Sequence, residues 1–532
     1  MTPGRLAVTC SIIALTLLGY FVFPGHTYLQ SDTQIYVPML EHIWDPTTFP
    51  QDLVATKPHL SYTLYDEITI ALRWLTRSSF QTALTAQQLL YRALQILGIY
   101  LLASAFPLSR RMALFVAAVC SLGATIAGPA VLTIEYEPVP RGFAIALGML
   151  AIGLAARGRL MMASSVAALA FLYHAPTTLP FWIVFCLLVW KRREYSALVP
   201  LLCAIGIVLI ASRSQAGMEE RQAFFFRIDP EFESLQRMRA SYNWVSNWIG
   251  AFAWQWLFCW VAGLVAYWRV RPQAGQMFLL GLPVIGLLSV PVSYVLLEQL
   301  KWGFIPQFQP ARTLLFVTVS TLILSAAAGV RAAEGRRLLE AGAWFTIVFA
   351  LPMQALLQNL NSRQVLLAAV LAAFSAAVVF AREQRWQPVA LAAVVLGAYL
   401  LPPTFGKVRN YPAIADSEVD GVVKFVQERT SRNAMLLFAD AGRALYPGVV
   451  RARSLRSVYV DWKSGGQVNY YRSLGEEWWT RWNAANALKF QPDQFERLAG
   501  LPIDYVVLTS AQRLPNRQPE YENKRFLVYK VR

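Results

Sequence analysis

Apolar runs about as long as a bilayer core is thick recur along this chain as far as residue 402. They lie near 6–23, 85–106, 112–132, 140–156, 159–173, 176–190, 195–211, 251–269, 276–297, 311–330, 340–358, 364–381 and 386–402. A helix needs about 20 predominantly apolar residues to cross the hydrocarbon, and a soluble core has no use for so many runs of that length. Only 15% of the residues are charged, where a soluble protein carries about 25%. The fold class that follows is a polytopic α-helical membrane protein with about thirteen transmembrane helices.

The connections between the runs alternate in charge. One set is short and basic: "SRR" (109–111), "ARGR" (156–159), "KRRE" (191–194), "RVRP" (269–272), "RAAEGRR" (331–337) and "AREQRW" (381–386). The other set holds the acids, the histidines and two long loops, 24–84 and 212–250. Basic loops stay on the cytoplasmic side. The N-terminus is therefore expected inside, the long loops outside, and an odd number of spans places the C-terminus outside. The chain is expected to cross its membrane many times, with the basic loops in the cytoplasm. This asymmetry accounts for most of the net charge of +17, so no nucleic-acid partner is implied. Cys10, Cys120, Cys186, Cys203 and Cys259 all fall inside apolar runs with no CxxC spacing, which predicts neither disulfides nor a zinc ribbon. Residues 6–23 lack a small-residue cleavage site and read as a retained first helix. "HAPTTLP" (174–180) interrupts the run 159–190, which is read as two short helices meeting at the outer face.

After Pro403 the composition becomes mixed. "SEVDGVVKFVQERT" (417–430) places Val419, Val422, Val423 and Phe425/Val426 at helical spacing. "AMLLFAD" (434–440), "SVYVDW" (457–462), "DYVVLTS" (504–510) and "RFLVYKV" (525–531) read as strands. The expected organisation is a transmembrane domain, 1–402, with its two outer loops, followed by a small extracytoplasmic α/β domain, 403–532.

The spans are nearly free of charge, Arg92 being the main exception. Transporters coupled to ions hold titratable groups near mid-membrane, and this chain gathers them in the outer set instead. That set contains His26, His42, His59 and His174, with Asp32, Asp45, Asp52, Asp66, Glu67, Glu135 and Glu137. Asp32 stands alone, with no Lys or Arg from Val22 to His42. It opens the first of two amphipathic stretches, 33–44 and 61–75, which are expected to lie along the membrane surface. Ile35, Met39 and Ile43 share one face of the first. Glu135 and Glu137 form an ExE pattern in a short outer loop, 133–143, beside Arg141.

A lone Asp after the first span, surface helices in the first outer loop, a second acidic pattern and an outer C-terminal domain together resemble the GT-C superfamily of membrane glycosyltransferases. The resemblance covers the whole chain and is one of layout. Asp32 is followed by Thr33, not by a second acid, and the WWDYG motif of oligosaccharyltransferases is absent. The resemblance implies transfer of a sugar from a polyprenyl-phosphate donor, at the outer face of the membrane, to an acceptor that the sequence does not identify. Membrane lipids are the other partner. Asp32 is then the expected base. Arg141, His174 and Arg312 are the expected donor-phosphate or sugar-binding residues, and Lys463 is an acceptor contact. If a divalent cation (Mg or Mn) takes part, Asp32 with Glu135 or Glu137 would supply oxygen ligands.

Each residue also has a plainer reading. Asp32 is a natural N-cap, Glu135 and Glu137 are loop acids, His174 ends a helix, and Arg312 snorkels to headgroups. "DWKSGG" (461–466) and "EEWWTRW" (476–482) read as domain packing. For the chain as a whole the alternatives are a lipid or polysaccharide flippase or transporter, and a non-catalytic envelope-assembly protein.

Overall fold

The computed structural model describes residues 3–57, 60, 62–215, 225–381, 384–409, 411, 416–486 and 489–532. His59 lies outside them. The chain forms two compact units. One comprises Met1–His26, Thr85–Ile210 and Tyr242–Pro412, and the other Thr27–Leu84, Ala211–Ser241 and Ala413–Arg532.

The first unit is helical and apolar. Among the described residues seven helices are long and apolar enough to cross a membrane: Gly4–Phe21, Leu160–Arg192, Ile249–Val270, Gln276–Gln299, Ile305–Glu334, Ser362–Phe380 and Gln387–Thr404. Pro140–Ala156, Tyr195–Ala211 and Leu338–Ala350 are shorter apolar helices. Ile305–Glu334 is the centre of the unit, since 94% of its apolar window is buried, whereas the other six bury 28–50% and leave the rest for lipid. Phe80–Ala103 packs on Pro140–Ala156 through small residues. A Cβ on Gly98 would fall 2.5 Å from the backbone of Met149 and Leu150, so only glycine allows this approach.

Two expected spans come out differently. In the run 340–358 the helix Leu338–Ala350 stops after 13 residues. The run 112–132 is not one helix. Arg110–Cys120 ends at Ser121, and a two-stranded hairpin follows, β1 (Thr125–Ile126) antiparallel to β2 (Val131–Leu132). Gly123 and Gly128, at φ +74° and +84°, supply the left-handed turns that side chains avoid. The run 159–190 forms Leu160–Arg192, broken at His174, whose φ of −163° and ψ of 89° are extended. Two helical halves meet there, as the interruption predicts.

In the second unit the two long loops join the C-terminal residues. Its sheet has the order β4-β3-β5-β7-β6, where β3 is Met435–Phe438, β4 Ser457–Val458, β5 Tyr505–Thr509, β6 Tyr521–Glu522 and β7 Phe526–Lys530. β3 pairs in parallel with β4 and β5, and β7 pairs antiparallel with β5 and β6. The helix Ser417–Arg429 buries Val419, Val422, Val423 and Val426 against Leu436, Phe438, Val507 and Val528. All four expected strands and the expected helix are present; the short β6 was not expected.

The helix Thr33–Trp44 matches the first amphipathic stretch, but its apolar face is not a membrane face. Met39 and Leu40 are fully buried, and Gln34 Nε2 donates to the Leu29 and Leu445 carbonyls at 2.6 and 3.1 Å. A buried amide with two protein acceptors is the mark of a helix covered by protein. Tyr65–Thr76, from the second stretch, keeps Trp74 and Leu75 69% and 73% exposed, as an in-plane helix would.

Candidate functional site

Asp32 occupies the N-cap position of Thr33–Trp44, with φ −74° and ψ −21°, yet its side chain makes no cap hydrogen bond. The plain capping reading is therefore corrected. The nearby hydroxyl of Thr33 is engaged instead by the Leu29 N–H at 2.8 Å. The Asp32 carboxylate turns to Lys463, whose ammonium lies 2.8 Å from Oδ1 and donates to Ser31 Oγ at 2.8 Å. Ser31 Oγ also donates to Asp32 Oδ1 at 3.3 Å. The cation that the local sequence lacks thus comes from 431 residues away.

Lys463 is held in place by its neighbours. Asp461 accepts from the Ser464 N–H at 3.1 Å, while its carbonyl accepts from Trp478 Nε1 at 2.9 Å. Arg239 donates from Nε to the Trp462 carbonyl at 2.8 Å and from a terminal nitrogen to that of Lys463 at 3.2 Å. The guanidiniums of Arg239 and Arg443 lie 4.7 and 4.6 Å from the centre of the Trp462 ring.

Beneath this segment Arg451 bridges two carboxylates, Asp52 and Asp461, at 2.8 Å each. Asp52 also accepts from the Val54, Ala55 and Val458 N–H groups. Burial pushes the Asp461 carboxyl up, but the Arg451 charge and the Ser464 bonds outweigh it and leave it below the usual range. Burial works against the Arg451 cation too, and its two acids more than offset that. Asp66 differs: burial first, then its neighbour Glu67, push its carboxyl up to about 9.

In the first unit, Glu135 is buried and takes Arg141 on both oxygens, at 2.7 and 3.5 Å. Gly142 makes room for it, because a Cβ there would fall 2.7 Å from Glu135 Cβ. Arg92 donates to the Gly25 and Glu135 carbonyls at 3.1 Å each, and Gln95 donates to that of Thr133 at 2.6 Å. Glu137 is also buried, so neither acid is a solvated loop residue. His174 Nδ1 accepts from the Thr177 N–H at 3.3 Å and lies 2.8 Å from its hydroxyl. That geometry caps the second half of Leu160–Arg192.

Arg312 lies in a 3-10 turn, Pro310–Leu314, at the head of the central helix. Gln309 before it is left-handed, at φ +49°, outside the right-handed helical region that a following proline disfavours. Arg312 Nε donates to the Pro129 carbonyl at 3.2 Å, and its guanidinium lies 5.3 Å from the centre of the Tyr242 ring. His26 stacks on Tyr20 at 3.7 Å, and His42 Nδ1 lies 2.6 Å from the Thr48 carbonyl.

Two of the three acids the sequence offers to a divalent cation are engaged, Asp32 by Lys463 and Glu135 by Arg141. Among the described residues no three or more His, Cys, Asp or Glu converge as a metal site. Sequence reasoning named Asp32 and Lys463 but did not pair them. It missed Arg239 and Arg451, which have no local motif.

The apolar helices and the small sheet define a multi-pass membrane protein that carries an α/β unit. No protein-family model and no curated protein matches the sequence. Among solved structures the chain is similar to ArnT from Cupriavidus metallidurans in the apo state. The identity is 14% and the TM-score 0.46, over 99% of this chain and 97% of that one. It is also similar to the arabinosyltransferase EmbB from Mycobacterium smegmatis, at 16% identity and a TM-score of 0.42, over 77% of this chain and 42% of that one. A third is the archaeal oligosaccharyltransferase AglB from Archaeoglobus fulgidus in complex with an inhibitory peptide and a dolichol-phosphate. Its identity is 11% and its TM-score 0.38, over 95% of this chain and 69% of that one.

Proposed function

We propose that this chain transfers a sugar from a polyprenyl-phosphate donor to an acceptor hydroxyl at the outer face of the membrane, with Asp32 as the general base. The observation that carries the reading is the Asp32–Lys463 pair. The carboxylate starts a helix without capping it, is 25% exposed, and is aimed by a cation held from below.

In the proposed step the acceptor oxygen attacks the anomeric carbon and the bond from that carbon to the phosphate oxygen breaks. Asp32 takes the hydroxyl proton. The polyprenyl phosphate leaves with the bonding electrons and gains a negative charge. Protonation of Asp32 removes the counter-ion of Lys463 as that charge appears, so the ammonium turns to the phosphate. In the first unit, Arg312 is proposed to bind phosphate through its planar fork. Arg141, neutralised by Glu135, is proposed to hold its loop in place, and His174 to hold the break in its helix.

Asp32→Asn tests the reading. In membrane vesicles given a polyprenyl-phosphate donor with a radiolabelled sugar, label should leave the lipid roughly 10²-fold more slowly, the scale of a lost general base. Protein level and thermal unfolding should stay unchanged. Near-normal turnover would return Asp32 to a structural role.

A further inference from the structure

A cavity of about 310 Å³ opens in the second unit, and neither Asp32 nor Lys463 lines it. Its wall is built by the end of Thr33–Trp44 and the turn that follows, by Arg73, and by the C-terminal ends of Ser417–Arg429 and Tyr446–Ser454. The volume is at the lower end of small-molecule sites. Apart from Trp44 and Leu455 the lining residues are polar or charged, which does not suit an acyl chain.

The charges do not balance. Arg73 is taken by Glu41 at 2.8 Å. Arg456 is 6% exposed, and its guanidinium donates to the Thr430 hydroxyl and to the carbonyls of Ser454, Gln427 and Thr430 at 3.0–3.2 Å. None of these acceptors is a carboxylate, so the buried positive charge is solvated by neutral oxygens. Arg432, exposed at the rim, donates no hydrogen bond among the described residues. Asp45 is the one remaining acid of the lining; its carboxylate accepts from the Thr47 N–H and hydroxyl at 3.0 and 2.7 Å and interacts with the Arg432 charge, so three guanidiniums face two acids and one positive charge is left over. Burial, and then the like charge of Arg432, make the Arg456 cation harder to keep. An anion in the cavity relieves that repulsion.

We infer that this cavity binds an anionic sugar, a monosaccharide bearing a carboxylate or a phosphate. Arg432 presents a fork that makes no hydrogen bond among the described residues and matches either group, and Arg456 adds its field from below. Trp44 is 41% exposed; the Arg73 guanidinium lies 4.8 Å from the centre of its ring, and the face that Arg73 leaves open is the one on which a pyranose ring can lie, with the polar N–H at the edge. Thr48 and Gln427 supply a hydroxyl and an amide for the ring hydroxyls.

Isothermal titration of the full chain in detergent tests this with four probes: glucuronate, glucose 6-phosphate, glucose and inorganic phosphate. At least one of the two anionic sugars should bind about tenfold or more tightly than glucose, the scale of a charge-assisted hydrogen bond. Inorganic phosphate should bind more weakly than glucose 6-phosphate. Arg432→Gln, at an exposed position where folding is not at stake, should reduce the anionic sugars to the level of glucose, and Trp44→Ala should weaken them. Asp32→Asn should leave all four unchanged, which keeps this site separate from the proposed transfer. Equal binding of glucose, equal binding of inorganic phosphate and glucose 6-phosphate, no binding at all, or an indifferent Arg432→Gln would each overturn the assignment.

Discussion

Replacing Lys463 by methionine keeps the length of the side chain and removes its charge. The cost to folding follows from exposure. The Lys463 and Asp32 side chains are 18% and 25% exposed, so water can replace the lost partner, and pairs of this kind contribute about 0.2–1 kcal/mol. The contrast within the same unit is Arg451→Met. Arg451 meets Asp52 and Asp461 at the same 2.8 Å, with all three side chains 1% exposed or less. Removing it strands two carboxylates in a site that water does not reach, a loss of about 3–5 kcal/mol. Whole domains are stable by only about 5–15 kcal/mol. Arg451→Met is therefore expected to unfold the second unit or bring it close to unfolding, while Lys463→Met leaves it folded. Under the proposed mechanism Lys463→Met still slows sugar release from the donor roughly 10²-fold, the scale of one lost charge-stabilising group. Tryptophan fluorescence on heating and limited proteolysis in detergent read the stability, and the radiolabelled donor reads the turnover. If Lys463→Met lowers the melting temperature as far as Arg451→Met, the pair is structural. If Lys463→Met turns over at the wild-type rate, Lys463 has no part in the reaction.

Arg312→Lys should weaken binding of a polyprenyl-phosphate sugar to the purified protein, and Arg312→Ala should weaken it further, because a phosphate clamp needs the guanidinium fork and an anchor needs only charge. Lysine matching the wild type, or both variants failing to insert, makes Arg312 an anchor. The second unit is expected outside the cell. A cysteine at the exposed position 518, introduced as Gln518→Cys, should react with a membrane-impermeant maleimide on intact cells, and labelling seen only after lysis would reverse the orientation on which outer-face transfer depends.

Much of the fold is legible in the sequence because its signals are local. The spacing of Val419, Val422, Val423 and Val426 yields the Ser417–Arg429 helix, and the "HAPTTLP" stretch yields the break at His174. Where two signals conflict, the apolar one misleads. Within 112–132 the apolar content argues for a span, but Gly123, Gly128 and Pro129 are turn residues, and the chain turns there. Amphipathicity gives the helix Thr33–Trp44 its type and misjudges what covers it. An apolar stripe on a helix packs as well against protein as against lipid, whereas Gln34, a polar residue beside that stripe, tells the two apart.

The site is legible as a list and not as an arrangement, and the reason lies in sequence distance. Asp32 and Lys463 are 431 residues apart, Asp52 and Arg451 are 399 apart, and neither pair leaves a local pattern. A lone acid with no cation near it in sequence does raise a question that only a distant residue can answer. The answer depends on how three separated stretches, 27–84, 211–241 and 413–532, come to fold as one unit. Bringing such distant segments together costs loop-closure entropy before any contact forms, and apolar faces alone would let them meet in several registers. Arg451 narrows that choice. Its Nε faces Asp52 from the first stretch and a terminal nitrogen faces Asp461 from the third, and a shifted register would leave a buried charge without its partner. A buried triad of this kind adds little over well-packed apolar residues. Its contribution is to allow one assembly, the one in which the segment carrying Lys463 stands against Asp32.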